Sequence, residues 1–300
     1  MKRILVLTSI LIFSCSSDPQ NCDILIENGI IYDGTGDKPY KGVVAISNDK
    51  IIYVGKNKNF VADKVIDATD KAVSPGFINM LSWAYNSLMD DGRSLSDLKQ
   101  GVTLEVFGEG TSPGPSGNIK DNSYVSFGEA MQKLEDNGVS PNIASYLGAA
   151  TVRIQEIGYA NRKATDEEME SMRDIVKSAM EEGAIGIGSS LIYAPGDYAD
   201  TDELIELSKV ASSYGGRYIS HMRNEDSRIL SAVDELIEIA EKADIPAEIY
   251  HLKASRKANY HLLDSVISRV EEARSKGLKI TADMYTYTAS STGLTGVIPT

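Results

Sequence analysis

The sequence predicts an α/β fold: a (β/α)₈ TIM-like barrel that stops after its seventh strand, preceded by a small β-sheet domain. After Pro75, apolar segments that turn polar or glycine-rich at their carboxyl ends alternate with amphipathic helical segments, as in parallel βα units. Polar residues follow several of these segments. This distribution favours a barrel, because the active site of a barrel collects side chains from the carboxyl ends of many strands. The first strand lacks the glycine-rich phosphate loop that would favour an open doubly wound sheet.

Seven segments have strand character, and four of the connections between them have apolar residues spaced by three and four positions. The predicted strands are 76–84, 101–110, 142–150, 184–192, 217–223, 247–254 and 279–287. The predicted helices are 165–183, 200–215, 226–244 and 260–277. Because a closed barrel requires an eighth strand, we expect these 300 residues to be part of a longer protein.

The amino-terminal residues divide into three parts before the barrel, which we place at 75–300. Residues 1–15 combine a basic start, a short apolar run and a small residue before Cys15, as in a lipoprotein-type signal peptide. We expect a linker at 16–22. Residues 23–74 alternate apolar and polar side chains between turn signals, which predicts antiparallel strands and the amino-terminal half of a small β domain.

We therefore expect an exported lipoprotein of the bacterial cell envelope, attached to the membrane only by a lipid on Cys15. An ordinary cleaved signal peptide is the alternative. Cys22 is the only other cysteine, so the sequence offers no disulfide framework. A formal net charge of −13 argues against nucleic acid and anionic membrane surfaces as partners, because the field of the protein repels both.

Two of the three histidines occupy matching positions in "RYISHMRNE" and "AEIYHLKAS". His221 and His251 fall near the carboxyl ends of neighbouring predicted strands, so both are expected to point into one mouth of the barrel. Catalytic zinc typically takes three protein ligands and keeps one position for water. We predict a zinc site at His221 and His251, with Glu109 at the end of the second strand as the third ligand. An exposed loop charge is the alternative for Glu109.

Two further titratable residues have less specific predictions. Glu105 alternates in phase with Glu109 and is expected to point inward at a deeper level, where a buried carboxylate needs a partner. His261 opens a predicted helix and is expected on the surface.

Several motifs together resemble one family. They are "DILIENGIIYDGTG", "PGFINM", "QGVTLEVFGEG", "LIYAPGDYADTDELI" followed by "YISHMR", "HLKAS" and "TADMYTYTASSTGL". With them, nearly the whole chain after the export signal resembles the D-aminoacylase, or N-acyl-D-amino-acid deacylase, branch of the amidohydrolase superfamily. The resemblance implies a zinc-dependent hydrolase on a metal-dependent hydrolase barrel, with a small β domain completed by strands from the far carboxyl terminus.

The sequence departs from that family at its metal ligands. Most amidohydrolases carry a His-x-His pair at the end of the first strand, and the aligned positions here are Leu81 and Trp83. Neither side chain ligates zinc. The cysteine ligand of the second strand aligns with Gly110, beside Glu109, whose side chain extends toward the same metal. We therefore expect one zinc per chain and no second metal site.

The resemblance implies hydrolysis of the amide bond of N-acyl-D-amino acids or related N-acyl compounds by attack of metal-bound hydroxide. The general base of the family is an aspartate after the eighth strand, which lies beyond Thr300, so we expect this chain alone to be inactive. Asp283 is a weaker candidate for the base, and a hydrogen-bonded barrel residue is its alternative. The alternative function is a catalytically inactive, amidohydrolase-like binding lipoprotein.

Three substrate contacts follow from the resemblance and from strand geometry. Tyr193 and Ser290 match family positions that contact substrate. Lys253 lies two residues after His251, on the same face of the chain, and is expected to bind the substrate carboxylate.

Arg223 stands in the same relation to His221 and is a fourth candidate for substrate binding. An ion pair with Glu225 or Asp226 is the alternative for its guanidinium.

Overall fold

The computed structural model describes residues 18–118 and 123–296. The chain divides into two compact units, Met1–Gly76 and Phe77–Thr300. The expected signal peptide and its Cys15 lie outside the described residues. Within those residues, no helix combines the length and apolar character needed to cross a membrane.

The first unit contains a four-stranded and a three-stranded sheet, in the orders β5-β4-β1-β6 and β3-β2-β7. The strands β4 and β5 form the predicted antiparallel hairpin. The prediction of purely antiparallel strands is wrong for β1 and β6, which pair in parallel, because alternation of apolar and polar residues does not encode strand direction. The strands are β1 (Gln20–Glu27), β2 (Ile30–Ile31), β3 (Tyr40–Lys41), β4 (Val43–Ser47), β5 (Lys50–Gly55), β6 (Phe60–Asp67) and β7 (Ala72–Val73).

The predicted linker at 16–22 is wrong at its carboxyl end. Gln20, Asn21 and Cys22 belong to β1 and pair with residues of β6. The Cys22 side chain is buried in a small core with Leu25, Val43 and Ala45. The pairing partner is remote in sequence, so local composition does not reveal that this segment is a strand.

The second unit has the predicted parallel arrangement. Its strands pair in chain order, β8-β9-β10 and then β11-β12-β13-β14-β15, and every pair is parallel. All seven predicted strands are present among the described residues, and the third is divided in two at Tyr146. The strands are β8 (Phe77–Asn79), β9 (Val102–Phe107), β10 (Asn142–Ser145), β11 (Leu147–Gly148), β12 (Gly186–Ser190), β13 (Arg217–His221), β14 (Ala247–Ile249) and β15 (Ile280–Ala282).

Helices fill the connections between these strands. The four predicted helices form, and Thr165 and Asp200 cap two of them by accepting backbone N–H groups. The sequence analysis did not predict α1 to α4, the last of which begins inside the predicted third strand. The helices are α1 (Tyr85–Asp90), α2 (Leu95–Leu98), α3 (Phe127–Asn137), α4 (Ala149–Glu156), α5 (Asp166–Glu181), α6 (Thr201–Ser213), α7 (Ile229–Lys242) and α8 (Leu263–Ser275).

Alternate residues of each strand face two different apolar clusters. Ile187, Tyr218 and Ile249 pack in the large cluster that includes the buried faces of the helices. Ile219 packs instead in a second cluster with Tyr250 and residues of the earlier strands. Because side chains alternate along a strand, His221 projects from the same face of β13 as Ile219. The strand pattern therefore directs this histidine toward the inner side of the sheet.

Arg153 provides a test of the packing between α4 and α6. Its side chain is 0% exposed, and its Nη1 lies 2.5 Å from Glu203 Oε2. We predict that Arg153→Ala lowers the free energy of unfolding by about 3–5 kcal/mol, because it leaves the Glu203 carboxylate buried without its cation. Urea denaturation measures this loss. Arg162→Ala is the control, since Arg162 and its partner Glu168 are partly exposed; equal losses in the two variants would contradict the prediction.

Candidate metal centre

Glu109, His221 and His251 converge where three parallel strands end. His221 is the last residue of β13, and the other two residues lie just after β9 and β14. Glu109 Oε1 lies 2.8 Å from His221 Nδ1 and 3.2 Å from His251 Nε2, and these two nitrogens are 3.0 Å apart. The structure thus brings together the three residues that the sequence analysis selected as metal ligands, as one cluster of ligand atoms.

The backbone around Glu109 leaves no room for a neighbouring side chain. Gly110 has a φ of +72°, and a Cβ atom there would lie 2.6 Å from the Cβ of Ser190. Gly108 has a φ of +107°, and a Cβ atom would lie 2.3 Å from the carbonyl oxygen of Tyr146. Both positions require glycine. The position that aligns with the family cysteine therefore has no space for a ligand, and Glu109 is the side chain that this loop presents.

His251 is held in an uncommon backbone conformation. Its φ of +38° is rare for a residue other than glycine. The backbone N–H of His251 donates to Asp283 Oδ1 at 2.6 Å, and the N–H of Leu252 donates to the carbonyl of Asp283 at 2.9 Å. Burial raises the pKa of Asp283. Asp283 is thus a hydrogen-bonded residue at the end of β15 that fixes His251.

Glu225 is a second carboxylate beside both imidazoles, and the sequence analysis missed this role. Its Oε1 lies 2.9 Å from His251 Nδ1 and 2.7 Å from Lys253 Nζ, and its Oε2 lies 3.7 Å from His221 Nε2. A carboxylate on the far nitrogen of a metal-binding histidine sets its tautomer and ring orientation. The available signal was the spacing in "HMRNE", which places Glu225 four residues after His221.

Both carboxylates of the cluster are ionised at neutral pH. Burial would raise the pKa of Glu109, but hydrogen bonds with His221 and His251 outweigh it and lower the pKa to about 2. The pKa of Glu225 is also lowered, because its contacts with His251, His221 and Lys253 outweigh its burial. Burial lowers the pKa of His251, whereas hydrogen bonds to both glutamates raise it, to about 9 overall. A metal bound at Nε2 therefore displaces a proton.

The donor set and its dimensions fit zinc. Two imidazoles and one carboxylate are a common protein ligand set of catalytic zinc sites. Zn–N and Zn–O bonds of about 2.0–2.1 Å in a tetrahedral site separate the ligand atoms by roughly 3.3 Å. The observed separations of 2.8–3.2 Å need to open by only a few tenths of an ångström. With neutral imidazoles, Glu109, Glu225 and Lys253 sum to one negative charge, which favours a dication.

Lys253 reaches the cluster and is already paired there. Its Nζ contacts Glu225 at 2.7 Å, and it lies 3.0 Å from His251 Nδ1 and 3.2 Å from the His251 carbonyl. It also lies 5.7 Å from the ring centroid of Tyr285. The ammonium group is thus near the metal ligands, but its first partner is a carboxylate of the protein.

Tyr193 and Ser290, the two positions expected to contact substrate, lie differently. The ring centroid of Tyr193 is 5.6 Å from that of His221 in an edge-on arrangement, and its hydroxyl contacts Thr292. Ser290 is exposed, and its hydroxyl lies beside Tyr285. Tyr193 therefore borders the cluster directly, whereas Ser290 belongs to the segment after β15.

The alternative pairing of Arg223 with Glu225 or Asp226 is wrong, and its contact with substrate stays a prediction. The guanidinium binds Glu235 of α7 through Nε and Nη2 at 3.0 and 2.8 Å. It also donates to the carbonyls of Asp197 and Ala199 at 3.1 and 2.8 Å. The helix that follows β13 offers a carboxylate in bidentate geometry, so Arg223 joins α7 to the loop after β12.

The first strand contributes a tryptophan instead of histidines. Trp83 Nε1 donates to Glu109 Oε2 at 2.8 Å, a contact that the sequence analysis missed. Leu81 packs against the second apolar cluster, which contains Ile219 and Tyr250. Glu105 is fully buried, and its predicted need for partners is met by hydroxyls of Ser82 and Ser94 at 2.7 and 2.6 Å.

His261 is exposed, as predicted. It lies in a 3₁₀ segment, Lys257–Leu262, before α8.

Comparison with known proteins extends these observations. No model of a known protein family matches the chain. D-aminoacylase of Alcaligenes xylosoxydans xylosoxydans is 29% identical over 291 residues, which cover 93% of this chain and 60% of that protein. The chain thus spans about three fifths of the length of this relative.

Solved structures give the same result. A D-aminoacylase crystal structure, described as defining a novel subset of amidohydrolases, matches with a TM-score of 0.78 and 28% identity over 89% of this chain and 59% of the other. N-acyl-D-glutamate deacylase of Bordetella bronchiseptica, solved with zinc and a phosphonate mimic of the tetrahedral intermediate, matches with a TM-score of 0.79 and 25% identity over the same shares. The chain is therefore similar to proteins of the D-aminoacylase branch of the amidohydrolases, in agreement with the resemblance of its motifs.

Proposed function

We propose that the protein is a zinc-dependent amidohydrolase that cleaves the amide bond of N-acyl-D-amino acids or related N-acyl compounds. The observation that carries the proposal is the convergence of Glu109, His221 and His251, whose ligand atoms lie 2.8–3.2 Å apart, close to the separations around one tetrahedral zinc ion. The names of the relatives supply the substrate class, because they are a D-aminoacylase and an N-acyl-D-glutamate deacylase.

The side chains of this cluster have different roles in binding the metal. Glu109, His221 and His251 hold the zinc, which when bound polarises an amide carbonyl and lowers the pKa of a water molecule. Glu225 accepts from His251 Nδ1–H and thereby keeps Nε2 free as a ligand. Asp283 fixes the backbone of His251, so we do not assign it as the proton acceptor of the reaction.

Substrate binding involves residues next to these ligands. The ring of Tyr193 lies 5.6 Å from that of His221 at an interplanar angle of 71°, and we propose that it borders the bound substrate. Lys253 places a positive charge there, and a substrate carboxylate would share this charge with Glu225. We propose this ammonium group as the contact for the carboxylate of the amino-acid half.

A catalytically inactive binding lipoprotein remains the second candidate. The observation in its favour is that Leu81 and Trp83 occupy the positions where most amidohydrolases carry His-x-His. Such a protein would bind N-acyl amino acids without turnover. The presence of three clustered ligand side chains in this chain favours the enzyme, since binding alone does not require the cluster.

The zinc site gives the first test of the proposed function. We predict about one zinc per chain in the purified protein and little in His251→Ala, because that variant removes one of three ligands. Elemental analysis measures the zinc, and release of free amino acid from N-acyl-D- and N-acyl-L-amino acids measures activity. His261→Ala is the control, since His261 is exposed.

Each outcome of this experiment separates the candidates. Zinc together with hydrolysis of the D substrates supports the enzyme. Zinc and ligand binding without hydrolysis, measured on protein that includes any residues beyond Thr300, favours the inactive binding protein. No zinc in the parent protein under zinc-replete conditions would contradict the metal centre.

Glu225 gives a second test. We predict that Glu225→Gln weakens zinc binding by about 10- to 100-fold, because the variant removes the negative charge beside both imidazoles. Competition with a chromophoric chelator measures the affinity. Glu238→Gln on α7 is the control, because its partner Lys242 is exposed as well. Equal affinity in the two variants would show that Glu225 does not support the ligands.

We also propose that the protein is an exported lipoprotein anchored through Cys15. The basic, apolar and small-residue order of residues 1–15 supports this proposal. We predict that the protein, expressed in a bacterium, incorporates radiolabelled palmitate and that Cys15→Ala does not. Label in the Cys15→Ala variant, or none in the parent, would contradict the anchor.

A further inference from the structure

The two oxygens of Glu109 have different partners. Oε1 faces His221 and His251, whereas Oε2 accepts a hydrogen bond from the indole of Trp83 at 2.8 Å. The carboxylate is only 8% exposed, so water has little access to either oxygen. While Oε1 points at both imidazoles, Oε2 is thus held by a hydrogen bond from the indole.

The backbone that carries Trp83 is anchored to β9. The N–H of Ser82 donates to the carbonyl of Val106 at 2.8 Å, and its hydroxyl donates to the buried Glu105 at 2.7 Å. The same hydroxyl accepts the N–H of Ala84 at 3.2 Å. Trp83 therefore extends from a fixed segment toward Glu109, in the loop that follows β9.

An indole N–H is only a donor. In a two-metal site, two cations lie about 3.5–4 Å apart and share bridging ligands. A cation that approached Glu109 Oε2 would meet the N–H hydrogen of Trp83 instead of a free lone pair. The indole therefore supplies to Oε2 the electrostatic partner that a second cation would otherwise supply, without adding charge.

We infer that Trp83 is a positioning residue that holds Glu109 through Oε2 and closes this oxygen to a second cation, so that the centre takes a single zinc. The inference rests on the proposed function, because it requires zinc at Glu109, His221 and His251. It goes beyond the absence of histidines at positions 81 and 83, since it gives the substituted side chain a role of its own.

The test compares zinc binding by the protein and by two variants. Trp83→Phe keeps an aromatic ring but removes the donor, and Trp83→Gln removes the ring but keeps an N–H of comparable reach. We expect Trp83→Phe to bind zinc about 10- to 100-fold more weakly than the parent, as for other groups that support metal ligands. We expect Trp83→Gln to bind more tightly than Trp83→Phe. Chelator competition gives the affinity, and elemental analysis at excess zinc gives the stoichiometry.

The outcomes distinguish this inference from the proposed function. One zinc in the parent with unchanged affinity in Trp83→Phe overturns the role of Trp83 and leaves the proposed function standing. Equal losses in the two variants indicate packing, and two zinc ions in the parent contradict the single-metal centre. No zinc in the parent removes the proposed function and this inference together. Because Trp83 is 62% exposed, both variants are expected to fold, and thermal denaturation checks this.

Discussion

The carboxylate of Glu109 is the contact on which the metal centre depends. One of its oxygens meets both imidazoles, and the other accepts the indole N–H of Trp83. Burial would raise its pKa, but the hydrogen bonds with His221 and His251 lower it to about 2, so the side chain stays negatively charged at neutral pH. Without that charge, His221 Nδ1 and His251 Nε2 would lie 3.0 Å apart with no carboxylate facing these two nitrogens, because Glu225 faces the other nitrogen of each ring.

The fold provides this contact through the ends of its parallel strands. The strand β9 belongs to a three-stranded parallel sheet and β13 and β14 to a five-stranded one, and the residues that end or follow these strands meet in one cluster. Close packing at Gly108 and Gly110 then restricts the loop after β9 to a single functional side chain. Glu225 and Asp283 both fix His251 from outside, through its Nδ1 and its backbone N–H respectively.

The sequence predicts the strands, four helices and the three clustered ligands, because each depends on local periodicity or on a polar residue at a strand end. The parallel pairing of β1 with β6 depends on residues that are far apart in the chain, and the linker prediction failed for that reason. The same limit applies to side-chain partners. Arg223 pairs with Glu235 and not with Glu225 or Asp226, which are near it in sequence. Trp83, in the segment after β8, donates a hydrogen bond to Glu109, in the loop after β9. The family resemblance identified position 83 only as a place where the usual histidine ligand is absent.

The centre combines features of a relative with features of its own. The two histidines match the motifs of the D-aminoacylase branch, whereas Trp83 stands where most amidohydrolases have a histidine and Glu109 lies beside the position of the family cysteine. A carboxylate whose one oxygen binds the metal and whose other oxygen accepts an indole N–H favours a site for one metal ion. Because such a site does not use positions 81 and 83 as ligands, Leu81 and Trp83 are compatible with one bound zinc.

Zinc K-edge X-ray absorption of the zinc-loaded protein tests this account most directly, because it reports the atoms bound to the metal. The account predicts nitrogen and oxygen neighbours at about 2.0–2.1 Å with two imidazole rings, no sulfur at about 2.3 Å, and no second zinc at about 3.5–4 Å. A sulfur neighbour, a zinc–zinc distance in that range or fewer than two imidazoles would contradict it.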